Sequence, residues 1–257
     1  MILRRRASLG TVHLDGVDDS IVIRGIDPGV PKENITAVDK MGGAGQRVTG
    51  SHWQTLEASV TYAIDIPKRQ MTRRREVFDA VNAWAAKKGW LRMTEMPGRK
   101  MYADKVILPG SGDLWDWTAE YTIVFRAYNV PFWQDNEAAR FESRTAAEGS
   151  VTAEVGGTAR SVLDITFENK SGKVINNFWV EANGNRITLT GLNLGGSEKL
   201  TISHRTDGLL QMKAGSRNVY TKYTGADDLY VEPGNVAVTF KADRAGILTA
   251  SSTGRWL

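Results

Sequence analysis

The sequence predicts a mainly β chain of two domains with one flanking α-helix. The N-terminal domain is expected to hold long alternating strands and the helix. The C-terminal domain is expected to be an antiparallel β-sandwich. Three observations predict this. Two long segments, Gln54–Ile66 and Thr118–Tyr128, alternate apolar and polar residues with period two, as half-buried strands do. One segment, Thr72–Lys88, repeats its apolar residues with helical spacing. Beyond residue 150, short β-branched runs are separated by turn dipeptides at intervals typical of sandwiches.

Each element follows from its residues. Ser20–Ile26 is β-branched, and Asp27-Pro28-Gly29 ends it. Val30–His52, including Met41-Gly42-Gly43-Ala44-Gly45, reads as a long irregular loop. Such loops either order on a partner or remain surface connections, and both readings stand. In Gln54–Ile66, Leu56, Ala58, Val60, Tyr62, Ile64 and Ile66 share one face. In the helix, Thr72 is the expected N-cap and Val77, Phe78, Val81, Trp84 and Ala85 form the apolar stripe. Gly89 is the expected left-handed stop. Arg73, Arg74 and Arg75 stand unfavourably at the positive end of the helix dipole. They are either solvated or turned toward acidic groups on a neighbouring subunit.

Trp90–Met96 and Met101–Leu108 form a hairpin through Pro97-Gly98-Arg99-Lys100, and Tyr121, Ile123, Phe125 and Ala127 are the buried face of the following strand. Gln134–Ser150 is polar and lacks an apolar stripe, so the domain boundary is set within it, giving domains 1–137 and 138–257. Asn183-Gly184, Gly195-Gly196, Asp207-Gly208, Pro233-Gly234 and Ala245-Gly246 mark turns between the later strands.

Composition narrows function by exclusion. The 257 residues include no cysteine, which removes disulfides, thiolate metal sites and a Cys nucleophile. The three histidines, His13, His52 and His204, have no metal-ligand spacing, and no metal or other cofactor is expected. Up to residue 137 there are 19 basic and 17 acidic residues, and beyond it 14 and 12, so neither half is a basic nucleic-acid module. Met1–Arg6 is basic, but no apolar signal region follows. No run approaches the roughly 20 apolar residues of a membrane span.

Catalytic patterns are equally sparse. Gly42-Gly43-Ala44-Gly45 lacks the setting of a phosphate loop. Ser203 and His204, adjacent on a strand, point to opposite faces. Asp18-Asp19 and Asp227-Asp228 read as turn residues, and no catalytic residue is assigned. Trp115 and Trp117 bracket Asp116 and form either an aromatic core or interface cluster or a sugar-stacking platform. Asp113 and Asp116 lie in the same Trp-rich segment and are the carboxylates on which a polysaccharide-degrading enzyme reading would rest.

Four features occur in order: the strand Gln54–Ile66; the basic-started helix ending in Lys87-Lys88-Gly89-Trp90-Leu91; the hairpin at Pro97-Gly98-Arg99-Lys100; and a strand running into Tyr128-Asn129-Val130-Pro131-Phe132-Trp133. Further on, Leu229-Tyr230-Val231-Glu232-Pro233-Gly234-Asn235-Val236 leads into Val238-Thr239-Phe240. Together they resemble the distal tail protein (Dit) family of long-tailed, non-contractile bacteriophages and prophages, over nearly the whole chain.

The resemblance implies an N-terminal β-sandwich or split barrel flanked by the α-helix, and a C-terminal sandwich of galectin-like type. It implies a structural virion protein made in the bacterial host cytoplasm. Six copies would form a ring at the distal end of the tail, joining the tail-tube protein to the tail-tip or baseplate proteins, with DNA passing through the lumen. Candidate inter-subunit contacts are Met41, Gln46, Arg47, Arg73, Arg74, Arg99 and Lys100, and Met1–Arg6 is a further candidate arm. The alternative is a protein that binds host cell-surface glycans.

Overall fold

The computed structural model describes residues 5–39, 44, 46–111 and 119–257, with the side chain of Lys68 set aside. The chain is mainly β and forms two compact units, residues 1–133 and 134–257.

In the first unit, one sheet runs Ile21–Asp27, Leu56–Ile64, Glu120–Ala127, Lys105–Ile107. The two predicted alternating strands are antiparallel neighbours. Their register sets Tyr121 against Tyr62, Ile123 against Val60, Phe125 against Ala58 and Ala127 against Leu56. All eight side chains are buried. The two apolar faces therefore form one continuous surface, which cross-strand pairing stabilises. Val12–His13, Ala7–Leu9, Gly89–Met93 and Arg99–Ala103 pair in that order in a separate sheet.

The single α-helix among the described residues spans Met71–Ala85. It covers the buried sheet face: Phe78 meets the Tyr121 ring edge-on at 5.2 Å, and Trp84 meets Phe125 at 6.1 Å. Indole Nε1 of Trp84 donates to Val12 O at 3.1 Å. The predicted stripe is thus the packing face, but the ends differ from expectation. The N-cap position is Gln70, without a side-chain cap, and Thr72 lies inside the first turn. A short 3-10 turn, Lys68–Gln70, leads in instead. At the C-terminal end Lys88 already adopts a left-handed conformation (φ 56°), followed by Gly89 at φ 124°. The helix therefore stops about a turn before the expected Lys88.

Val30–His52 is not an irregular loop. Glu33–Asp39 and Gln46–Trp53 form a two-stranded antiparallel hairpin. No core-facing run marks these strands, because most of their residues are exposed.

The second unit is an antiparallel sandwich around a core that includes Leu163, Ile165, Phe167, Phe178, Val180, Ile202, Phe240 and Leu248. Asn183-Gly184 takes two successive positive φ values (50° and 77°), the conformation of a type I′ hairpin turn. Gln134–Ser150, which holds the expected boundary, contributes Ala139–Glu142 and the first half of Ala146–Val155 to the sheet. Their largely exposed side chains left no apolar stripe to read. One expected turn is absent: Ala245-Gly246 lies within a strand. Gly234–Ser252 is one 19-residue strand, paired with Ala146–Val155, Ala139–Glu142, Ser161–Asn169 and Phe178–Ala182. Gly246 is needed because a Cβ there would lie 2.3 Å from Phe167 Cζ and 2.5 Å from Glu168 O.

Candidate functional site

The base of the hairpin is fixed by local chemistry. Asp27 Oδ1 accepts the Gly29 amide at 2.9 Å, turning the chain after Ile21–Asp27. Gly29 has φ 63°, and a Cβ there would meet Glu57 O at 1.8 Å, so only glycine fits. Trp133 Nε1 donates to Pro28 O at 3.0 Å, and Trp53 packs edge-on against Phe132 at 5.1 Å. The Gln54 amide donates to Lys32 O at 2.8 Å and closes the neck. Beside it lies a cleft of about 840 Å³ lined in part by Asp27, Lys32, His52, Trp53 and Glu57.

Beyond this neck the hairpin pairs with no other strand among the described residues. Seven residues of extended chain give it a reach of roughly 24 Å. The register puts Ile35 opposite Ser51 and Ala37 opposite Val48 on one face, while Asn34 and His52, Thr36 and Gly50, and Val38 and Arg47 share the other. Ile35 is 56% exposed and Val48 60%. The hairpin therefore carries an uncovered apolar stripe, which a monomer gains nothing by displaying. An isolated two-stranded hairpin is at best marginally stable in water, so its own contacts explain little of its persistence.

The other candidate residues are scattered. Gln46 Nε2 donates to Asp39 Oδ1 at 3.1 Å near the hairpin tip, and Arg47 is exposed beside it. Met41 lies outside the described residues, as do Trp115, Trp117, Asp113, Asp116 and Met1–Arg4. Arg73 is paired within the chain to Asp18 and, at 3.5 Å, to Glu76. Arg75 pairs with Asp79 at 3.0 Å.

Arg74 corrects the sequence expectation. It is fully buried, and its Nη1 donates to Ile66 O at 3.0 Å, so it is spent inside the protomer and cannot face a neighbour. The three arginines split because consecutive helical residues point about 100° apart, and the middle one faces the sheet. Arg99 and Lys100 are half-buried and open the return strand Arg99–Ala103, while the turn itself is Thr94–Gly98. The Lys100 ammonium sits 4.6 Å from the Trp90 ring centre.

Among the described residues, no group of three or more His, Cys, Asp or Glu side chains is placed to hold a metal ion. Among them, too, no helix is long and apolar enough to cross a membrane. Asp18 makes the expected Asx turn, accepting the Ser20 amide at 3.0 Å and the Ser20 hydroxyl at 2.6 Å. Asp228 does not: it is buried and bonded to His204, a partner 24 residues away that sequence spacing could not disclose.

No protein-family model and no curated protein matches the sequence. Solved structures do match in fold. SPP1 Dit (gp 19.1), described as a paradigm of the hub adsorption apparatus in phages that infect Gram-positive bacteria, superposes with a TM-score of 0.69. The match covers 98% of this chain and 99% of that one, at 13% identity. A chain of the phage P2 baseplate in its activated, calcium-bound conformation is matched over 97% of this chain and 98% of its own, with a TM-score of 0.48 and 11% identity. At such identities the likeness is one of fold, and it runs through both units from end to end: the chain has the fold of a phage distal tail (Dit) protein.

Proposed function

We propose that this chain is a structural, non-enzymatic subunit of a phage tail hub. Six copies close into a ring at the distal end of the tail, between the tail-tube protein and the tail-tip or baseplate proteins, and DNA passes through the lumen. The protein is then a virion component made in the host cytoplasm. The observation that carries this reading is the full-length fold likeness to SPP1 Dit. The hairpin supports it. A ring is built from heterologous contacts, in which one surface of each copy meets a different surface of the next. A protruding arm with an apolar stripe at Ile35, Ala37 and Val48 suits one half of such a contact. Gln46 and Arg47 near its tip, and Arg99 and Lys100 on their own hairpin, remain the proposed polar contacts.

Light scattering and negative-stain imaging of the purified chain test this. The expected particle is a ring of six times the 28.3 kDa chain mass. Replacing Ile35 and Val48 together by Asp should release folded single chains, since both side chains are exposed within the protomer. A chain that stays single at high micromolar concentration and recruits neither tail-tube nor tail-tip protein would sink the proposal.

A further inference from the structure

The second unit holds a histidine bonded at both ring nitrogens to carboxylates. His204 ends the strand Lys199–His204. Its Nδ1 lies 2.7 Å from Asp164 Oδ1, and its Nε2 lies 2.7 Å from Asp228 Oδ1. Asp164 belongs to Ser161–Asn169, and Asp228 precedes the short strand Tyr230–Val231. The His204 and Asp228 side chains are each only 10% exposed. A carboxylate only accepts hydrogen bonds, so both ring nitrogens must donate, and only the imidazolium can do that. Two carboxylates at these distances suit the charged ring.

The surroundings agree. Burial pushes the His204 pKa down, but the bonds and charges of Asp164 and Asp228 push it further up, to about 9. Arg255, on the strand Arg255–Trp256, lies in the field of both carboxylates and of Tyr230. Across the sheet His204 faces Leu210 and Asp164 faces Ser251, neither of them charged. The nearby turn carries the pair Arg205–Asp207 at 2.9 Å, and the Tyr230 side bears Arg160 paired with Glu232.

We propose that His204 is a protonation-gated fastener for the Asp228–Val231 strap: as an imidazolium it ties the strap to Asp164 on the neighbouring strand, and loss of its proton frees the strap at Asp228. The neutral ring keeps one N–H. Asp164 Oδ1 also accepts the His204 backbone amide at 2.9 Å, which favours the Nδ1–H form and holds that side in place. The Nε2 lone pair then faces Asp228 Oδ1, whose other bond is to its own neighbour, the Leu229 amide, at 2.8 Å. The strap keeps its anchors, Leu229 O accepting from the Leu163 amide at 3.1 Å and the pairing of Val231 with Ser161, so it loosens without the sandwich opening. Because the folded pKa is raised, the fastening is complete below the unfolded value near 6.5 and is lost as the pH rises through about 9.

Amide hydrogen exchange of the full chain, read by mass spectrometry with intrinsic base-catalysed rates divided out, tests this. Opening of peptides covering Asp227–Val231 should rise by roughly 50- to 100-fold between pH 7 and pH 10, as the neutral ring grows from about one-hundredth to about nine-tenths of the population. Peptides from Leu163–Phe167 should not change. Exchange at the histidine C2 position should report a midpoint for His204 well above 6.5. His204→Gln removes the titrating group and should leave the strap open to the same degree at every pH, and Asp228→Asn should also flatten the response. Strap exchange in the unaltered chain that is flat across this range, or a His204 midpoint at or below 6.5, overturns the proposal, and neither readout depends on a variant folding.

Discussion

Arg74→Ala separates a residue that stabilises the protomer from one that joins protomers. Arg74 lies on the inner face of the helix, fully buried, with Nη1 bonded to Ile66 O at 3.0 Å. Truncation leaves that buried carbonyl without this donor, at a cost of about 1–3 kcal/mol. It also removes two buried methylenes, about 1.6 kcal/mol at ~0.8 each. Against this, the folded state no longer has to strip water from a guanidinium, and water entering the void recovers part of the loss. The net destabilisation should be about 3 kcal/mol. For a unit of this size that lowers the melting temperature by roughly 10 °C. Differential scanning calorimetry should show the drop in the transition of the first unit and leave the second unit's transition in place. Assembly should weaken only as far as folding does. If the melting temperature falls by less than about 2 °C while the proposed ring dissociates, Arg74 faces a neighbour and the buried assignment is wrong.

Two further substitutions probe each unit by itself. Gly246→Val forces a side chain against Phe167 and the Glu168 carbonyl, the latter backbone that cannot step aside, and should cost roughly 3 kcal/mol in urea titration of the second unit. Asp18 has its pKa held below the ordinary 3.8 by hydrogen bonds from the Ser20 hydroxyl and amide, against a small opposing effect of burial and with help from Arg73. A lowered pKa means stability that is present above 3.8 and is lost as the pH falls through the folded value. Asp18→Asn should therefore cost about 1 kcal/mol at neutral pH and make the acid limb of the first unit's stability curve shallower.

What could be read from the sequence was what the core imposes on it. Leu56–Ile64 and Glu120–Ala127 bury one face each, so period-two alternation reveals both the strands and the residues that later pair. The helix was legible from Val77 to Ala85 for the same reason. Its ends were not, because a bare Gln70 start and a left-handed Lys88 obey the approach of the chain and not capping preference. The hairpin Glu33–Trp53 escaped notice because its strands are specified by each other and by the neck at Gly29 and Trp53, with no buried side to stamp a pattern. Ala139–Val155 escaped because backbone ladders to Gly234–Ser252 hold it while most of its side chains meet water. Arg74 could not be told from Arg73 and Arg75 until the helix phase was known. The His204 cluster joins residues 40 and 24 positions apart in the chain, a proximity no local spacing encodes.

The strand Gly234–Ser252 sets a schedule for the second unit. Four strands made earlier, from Ala139 to Ala182, all pair with it directly. During synthesis they emerge with those edges unsatisfied and wait for a partner nearly a hundred residues downstream from the first of them. Pairings this distant close slowly, and open edges invite the wrong neighbours while they wait. When many copies are translated at once, that interval is when one chain's late strand can complete another chain's sheet. The long strand that unifies the finished sandwich is thus also the step at which its yield is decided.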